Sequence, residues 1–153
     1  MTSEPVLLLV EDSGDDLRLL QRFFAKAGLR QPIRSVPDGV EAMSYLLGHR
    51  VYADRERYPQ PNLLLIDINM PRVNGLELMS WLRTQPDFDH LIVVALSSSS
   101  DQQEINRAYQ MGAHSYLLKP TAPDELESVI KAFCDYWIRS NCLPQREEAI
   151  KGQ

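Results

Sequence analysis

Three runs of apolar residues divide the chain, and polar residues do not alternate with apolar ones inside any of them. The runs span residues 6–10, 62–66 and 91–96 and are rich in Leu, Val and Ile. Strands show this pattern when helices cover both faces of a parallel sheet, because neither face of such a strand meets water. The pattern therefore predicts three buried strands, and residues 33–36 and 115–118 are two weaker candidates.

Helical periodicity fills the intervals between these runs, with apolar residues gathered on one side of each segment. It predicts helices over residues 15–27, 40–47, 75–84, 102–111 and about 123–141. Asp38 suits the cap of the second helix, and Pro123 suits the first turn of the last one. Pro144 prevents the last helix from continuing, so we expect residues 144–153 to form a short, frayed polar tail.

The predicted order is strand then helix, five times over. This order is typical of an α/β fold with a doubly wound, five-stranded parallel sheet in three layers. The 153 residues suit one domain with a single core, which we assign to residues 1–143. In sheets of this class the functional site lies outside the carboxyl ends of the strands. The residues that follow each strand are therefore the first candidates for function.

The composition argues against several classes of protein. A net charge of −5 without a basic stripe argues against binding to nucleic acid. The first apolar run has five residues, too few for a signal peptide or a membrane span. Cys134 and Cys142 form neither a CxxC motif nor a disulfide framework, which suits a reducing compartment. We expect a cytoplasmic protein that binds neither nucleic acid nor membranes.

Charged and polar side chains follow four of the five predicted strands. Glu11 and Asp12 follow the first strand, Asp67 the third, Ser97 the fourth and Lys119 the fifth. Taken singly, an Asp after a strand is often only a helix cap, and a Lys there is usually only solvated. Because the alternation predicts that these strand ends converge, we expect three carboxylates, a hydroxyl and an amine at one edge of the sheet.

These residue types suit phosphoryl transfer. Three neighbouring carboxylates repel one another unless a cation is present. Mg²⁺, with Mn²⁺ as a substitute, prefers oxygen ligands and needs only one or two carboxylates beside phosphate oxygens. A carboxylate held beside this cation can attack phosphorus and become an acyl phosphate, whose oxygens a Lys ammonium and a Ser hydroxyl can bind.

With these residues in place, the chain resembles the receiver domain of two-component response regulators, which implies a flavodoxin-like (βα)5 fold. The resemblance covers about residues 6–137 and rests on ordered motifs at residues 10–12, 66–71, 74–75, 96–97, 112–116 and 119–120. It implies that Asp67 accepts a phosphoryl group from a phosphohistidine of a sensor histidine kinase.

The resemblance also implies a metal site next to the phosphoacceptor. Glu11 and Asp12 would form its acidic pocket. Asp12, Asp67 and the backbone carbonyl of Asn69 would bind Mg²⁺ directly. The cation would then lie where the phosphoryl oxygens arrive.

The same resemblance implies a switch on the far side of the site. Ser97 would swing towards the phosphate, and Tyr116 would change rotamer with it. Lys119 would neutralise the charge of the phosphate. The family more often has Thr in place of Ser97, and the four serines at 97–100 leave Ser98 as a fallback for this role. The Lys119–Pro120 bond is typically cis in this family, which fits a tight turn.

Two further segments resemble the small stand-alone response regulators that are paired with cyanobacterial and bacterial phytochromes. They are the long connection 48–61 and the C-terminal residues 136–138 and 143–144. This resemblance implies a phytochrome-type kinase as partner. Only nine residues follow Pro144, too few for a DNA-binding module, so we expect a single-domain regulator that signals through protein contacts.

Surplus aromatic residues indicate where such contacts would form. Phe133, Tyr136 and Trp137 exceed one buried stripe, and Tyr109 lies on the preceding helix. An exposed apolar patch often marks an interface, so we expect a homodimer through the fourth helix, fifth strand and fifth helix. The alternative is that the C-terminal extension folds back over these residues.

Two other functions remain open on the sequence. An aspartate-nucleophile phosphatase also uses a strand-end Asp and Mg²⁺, but it usually has a second Asp two residues later as acid or base. Asn69 occupies that position and cannot transfer protons. We therefore expect that the protein is not an enzyme, although its aspartyl phosphate should hydrolyse slowly by itself. A degenerate receiver that serves only as an interaction module usually lacks the acceptor Asp or the Lys, and this chain has both.

Overall fold

Five parallel strands form one sheet in the computed structural model, which describes residues 4–31, 33–70 and 74–145. The strands are β1 (Leu7–Val10), β2 (Arg34–Val36), β3 (Leu63–Asp67), β4 (Ile92–Ser97) and β5 (Ser115–Leu118). Their order across the sheet is β2-β1-β3-β4-β5. The predicted doubly wound α/β fold is confirmed, because β2 lies on one side of β1 in the sheet and β3, β4 and β5 follow on the other side.

Five helices connect and cover these strands. They are α1 (Gly14–Lys26), α2 (Gly39–Leu47), α3 (Gly75–Leu82), α4 (Gln102–Gln110) and α5 (Pro123–Phe133), which continues as a π-helical stretch, Cys134–Ser140. Four of these helices are capped by a side chain that accepts a hydrogen bond from a backbone N–H of the first turn. The capping residues are Ser13, Asp38, Asn74 and Asp101. These four helices therefore begin at fixed points near the strand ends, with their positive ends towards that edge.

The sheet separates two apolar cores. Leu64 and Ile66 of β3 face a core shared with α2, α3 and α4, whereas Leu63 and Leu65 face a core shared with α1 and α5. All four side chains are fully buried, which confirms that the unbroken apolar runs are covered on both faces. Each buried Leu or Ile contributes about 1.5–3 kcal/mol, so the middle strands form a rigid platform for the residues at their ends.

The long connection 48–61 is anchored to the C-terminal end of α2. Its single 3₁₀ turn is Arg50–Ala53, and the rings of Tyr45, Tyr52 and Tyr58 lie 5.0–5.9 Å apart. The guanidinium of Arg55 donates hydrogen bonds to the carbonyls of Tyr45, Leu46 and Tyr58. Because a helix leaves its last carbonyls without partners in the helix, this arginine supplies donors to two of the terminal carbonyls of α2.

The C-terminal extension folds back onto the core shared by α1 and α5, yet it leaves one aromatic side chain outside. Trp137, Ile138 and Leu143 pack against that core, and Arg139 donates to the carbonyl of Ala27 at the end of α1. Tyr136 keeps 55% of its surface exposed. Of the predicted polar tail, residues 146–153 lie outside the described residues. Within the residues described, every helix is too short or too polar to cross a bilayer.

Candidate functional site

The carboxyl ends of β1 and β3 bring together three acidic residues that the sequence places far apart. Glu11 and Asp67 are buried, and Asp12 is exposed beside them. One carboxylate oxygen of each residue lies within 4.8 Å of the others. The predicted acidic cluster is therefore present as a geometric unit, with one member open to solvent.

Lys119 lies beside this cluster and has three carboxylate partners. Its ammonium donates to Glu11 and Asp67, the Nζ–Oδ2 distance to Asp67 being 3.3 Å. The third partner is Asp16, at 2.8 Å, which the sequence prediction missed. The sequence contains an indication of this contact, since Asp16 lies in the first turn of α1, which begins directly beyond β1. The Lys119–Pro120 bond is trans, the lower-energy form of such a bond, so the expected cis bond is wrong.

The electrostatics of the cluster reflect its burial and its excess of negative charge. Burial raises the pKa of the Glu11 carboxyl to about 8, the neighbouring Asp67 adds to the rise, and Lys119 opposes it. Burial alone would lower the pKa of Lys119, but hydrogen bonds to Asp16 and Glu11 and the charge of Asp67 raise it above its usual range. The lysine is therefore charged at neutral pH, and without a bound cation the Glu11 carboxyl holds its proton to a higher pH than an exposed glutamate does.

The donor set at this edge fits a hard divalent cation. It consists of oxygen atoms only, from Glu11, Asp12 and Asp67. The backbone N–H of Asn69 donates to Asp67 Oδ1 at 3.0 Å, so the chain turns directly after β3 and brings Asn69 next to Asp67. Exposure of Asp12 leaves room for water, which Mg²⁺ retains as part of its coordination shell.

Ser97 occupies the end of β4 and is fully buried, whereas Ser98 is exposed. The Ser97 Oγ accepts hydrogen bonds from Asn69 Nδ2 at 2.8 Å and from the backbone N–H of Ser99 at 3.1 Å. The hydroxyl of Tyr116 donates to the carbonyl of Ser99 at 2.7 Å. The geometry favours Ser97 over Ser98 as the hydroxyl of the site, and it adds the Asn69 side chain, which the sequence prediction did not include.

Comparison with known proteins assigns a family to this arrangement. Residues 7–131, most of the chain, match the response regulator receiver domain. The chain is 30% identical over 139 residues to the response regulator Rcp1 of Synechocystis, covering 91% of this chain and 92% of Rcp1.

Solved structures with the same fold include several light-signalling regulators. The phosphorylated cyanobacterial phytochrome response regulator RcpA has a TM-score of 0.83 at 30% identity, covering 94% of this chain and all of RcpA. The response regulator RPA3017 in red light signaling of R. palustris has a TM-score of 0.86 at 34% identity, covering 92% and 99%. The Mn²⁺-bound form of Rcp1 has a TM-score of 0.82 at 30% identity, covering 92% and 99%.

Proposed function

The chain belongs to the response regulator receiver family, and on that basis we propose that Asp67 accepts a phosphoryl group from a sensor histidine kinase. The observation that carries this proposal is the cluster of Glu11, Asp12 and Asp67, two of whose carboxylates, on Glu11 and Asp67, contact the ammonium of Lys119. Phosphoryl transfer needs a nucleophilic carboxylate, oxygen ligands for a metal ion next to it, and a positive charge that binds the phosphoryl oxygens. Here the lysine ammonium supplies that positive charge.

The chemistry follows from the two oxygens of Asp67. A carboxylate oxygen forms the new bond to phosphorus while the phosphorus–nitrogen bond of the phosphohistidine breaks, and the leaving imidazole keeps the electron pair. The Asn69 backbone N–H holds Oδ1, and the Lys119 ammonium lies beside Oδ2, where it can bind the arriving phosphoryl oxygens. Burial of Asp67 limits the access of water to the resulting acyl phosphate, so self-dephosphorylation is slow and no further enzymatic turnover is expected.

Mg²⁺ is the cation that we assign to this site, with Mn²⁺ as a substitute. Asp12, Asp67 and the backbone carbonyl of Asn69 would bind it, and Glu11 would balance its charge. When bound, the cation neutralises the carboxylates and draws the phosphoryl oxygens towards Asp67. The Mn²⁺-bound structure of the relative Rcp1 supports a divalent metal at this edge.

Ser97 and Tyr116 connect the phosphate to the surface. Ser97 accepts both of its hydrogen bonds, from the Asn69 side chain and from the Ser99 backbone, so its own O–H proton can be donated to a phosphoryl oxygen. A swing of the hydroxyl towards the phosphate would break these two bonds. Because the Tyr116 hydroxyl is bonded to the carbonyl of Ser99, a shift of residues 97–99 moves the partner of Tyr116. The change would then reach β5, the strand at the edge of the sheet.

The kinase partner is a phytochrome-type photoreceptor kinase in this proposal. Its support is the naming of the similar regulators, one a cyanobacterial phytochrome response regulator and one in red light signaling. The exchange would take place in the cytoplasm, a reducing compartment that suits the two free cysteines, Cys134 and Cys142.

Phosphotransfer from a purified histidine kinase tests this function. With radiolabelled ATP and Mg²⁺, we expect label to pass from the kinase to this chain, to depend on the cation, and to be released by hydroxylamine as an acyl phosphate is. A photoreceptor kinase should transfer faster than an unrelated histidine kinase. Many cycles of turnover on small phosphate esters, without a stable labelled species, would favour the phosphatase alternative instead.

Cation binding is expected to strengthen with pH, by up to about tenfold per unit between about pH 6 and pH 8. Below about pH 8 the Glu11 carboxyl is protonated in the cation-free protein, and a bound cation favours its charged form, so binding releases a proton. Calorimetric titration with Mg²⁺ in two buffers of different ionisation enthalpy measures this release. Glu11→Gln should bind more weakly and lose the slope, and a flat profile for the unchanged protein would contradict the assignment.

A homodimer through α4, β5 and the end of α5 is the expected output form. Tyr109, Leu118 and Tyr136 lie on these elements and expose 48%, 49% and 55% of their surfaces. We expect sedimentation to show dimers at high micromolar concentration, increased by a phosphate mimic, and Leu118→Ser with Tyr136→Ser to return monomers. Leu47→Ser, on the exposed face of α2, is the matched control and should leave the dimer intact. Monomers under every condition would contradict the prediction.

A further inference from the structure

The ion pair between Lys119 and Asp16 is explained neither by the pattern of residues at the strand ends nor by the proposed phosphoacceptor role of Asp67. An ammonium has three N–H donors, and those of Lys119 have three carboxylate partners, on Glu11, Asp67 and Asp16. The contact with Asp16 is 2.8 Å and that with Asp67 is 3.3 Å. The ammonium therefore lies closer to α1 than to the phosphoacceptor.

The first turn of α1 fixes the place of Asp16. Its backbone N–H donates to the Oγ of Ser13, the cap of the helix, at 3.2 Å. An acidic residue at this position of a capped helix can reach back to the cap, but the side chain of Asp16 extends to Lys119 instead. The preceding residue, Asp15, forms an ion pair with Arg18 at the surface and is 87% exposed at its side chain. Two adjacent carboxylates of one turn thus have different partners.

We propose that Asp16 is a positioning residue, which keeps the contact of the Lys119 ammonium with Asp67 Oδ2 at its long distance of 3.3 Å, so that Asp67 can bind a cation and attack phosphorus. This inference rests on the proposed phosphoacceptor function of Asp67. Without Asp16, the ammonium has only Glu11 and Asp67 as partners and moves onto Asp67 Oδ2. There it competes with the cation and reduces the nucleophilicity of the carboxylate.

The position of Asp16 also aims the third donor. With two of its N–H groups held by Glu11 and Asp16, the ammonium gives its third to Asp67 Oδ2, so that this donor lies beside the carboxylate that would carry the phosphoryl group. Placement of this kind affects rate steeply, because a displacement of about 1 Å in a reacting group can cost about a hundredfold. Partial exposure of Asp16, at 39% of its side chain, leaves it free to follow the lysine when the phosphoryl group arrives.

The test compares Asp16→Asn with Asp15→Asn, which removes the same charge from the same helical turn. Two quantities are measured, the affinity for Mn²⁺ by calorimetry and the rate of phosphorylation by acetyl phosphate in saturating Mg²⁺. We expect Asp16→Asn to weaken Mn²⁺ binding more than Asp15→Asn does and to slow phosphorylation about tenfold. Asp16→Glu should recover most of the loss, since a longer carboxylate can still reach the ammonium.

A double-mutant cycle separates positioning from a purely structural role. If Asp16 acts through Lys119, Asp16→Asn should have no further effect on Mn²⁺ affinity or rate in a Lys119→Met background. Equal effects of Asp16→Asn and Asp15→Asn, or an effect of Asp16→Asn that persists without Lys119, would overturn the proposal. Failure of the unchanged chain to take up phosphate would instead refute the phosphoacceptor function, and the Mn²⁺ comparison would still decide the role of Asp16.

Discussion

Asp67→Asn is expected to reduce phosphoryl uptake from a histidine kinase by at least about three orders of magnitude, a loss of the size that follows removal of the nucleophile from an enzyme. The side chain stands at the end of β3 with 7% of its surface exposed, and an amide there has no carboxylate oxygen to attack phosphorus. Asn has almost the same shape, so the bond from the Asn69 N–H can persist and the fold should be retained. Radiolabel transfer on a gel measures the loss directly.

The control for this prediction is Asp89→Asn. Asp89 is exposed and precedes β4, at the end of the sheet opposite to the acidic cluster, so its loss should leave transfer unchanged. Circular dichroism and the denaturation midpoint would establish that Asp67→Asn is folded. If label still entered Asp67→Asn at a tenth or more of the original rate, the phosphoryl group would belong to another residue, and mapping by mass spectrometry would have to identify it.

The fold could be predicted from the sequence because its signals are local. Unbroken apolar runs predict the three middle strands to within one residue, and the predicted cap Asp38 is the N-cap of α2. The predicted last helix was wrong in one respect, since Cys134–Ser140 is π-helical. Periodicity does not separate these two windings, because tertiary contacts such as that between Arg139 and the end of α1 contribute to the choice.

The site was predictable only as far as it depends on strand ends. Glu11, Asp67 and Lys119 converge because parallel strands end at one edge of a sheet, and this follows from topology alone. Asp16 and the side chain of Asn69 depend on the phase of a helical turn and on a rotamer, which no apolar pattern encodes. The aromatic residues show the same limit, since periodicity could not tell that Phe133 is buried and Tyr136 is exposed.

Lys119→Met is expected to lower the free energy of unfolding of the cation-free protein by about 3 kcal/mol. Lys119 is 13% exposed at its side chain, and its removal leaves the buried carboxyl groups of Glu11 and Asp67 without the ammonium that compensates them. Breaking a buried ion pair by removing one partner is costly, because the other charge stays desolvated. Lys131→Met is the control, since that lysine pairs with Asp135 at the surface and should not change stability measurably.

The cost should grow with pH, and the sign follows from Glu11. Its pKa is raised to about 8 in the folded protein, so the stability that its proton contributes is complete below about pH 4.5 and is lost as the pH rises through about 8. Because Lys119 opposes this rise, the pKa of Glu11 should be higher still in Lys119→Met. At about pH 6 Glu11 keeps its proton in both proteins, whereas at about pH 9 the unchanged protein has a charged Glu11 paired with the ammonium and the variant cannot form this pair. Urea denaturation of both proteins at these two pH values should therefore show the larger difference at the higher one.

Mg²⁺ should restore much of the stability that Lys119→Met loses, because a divalent cation among the same oxygens compensates the charges that the ammonium balanced. The shift of the denaturation midpoint on adding saturating Mg²⁺ is then larger for Lys119→Met than for the unchanged protein, and larger for both than for a Lys119→Met variant that also carries Asp12→Asn. Equal stability of Lys119→Met and the unchanged chain without Mg²⁺ would mean that the carboxylates are already neutral or hydrated. In that case the Lys119 ammonium would not be the charge that compensates the buried carboxylates of Glu11 and Asp67.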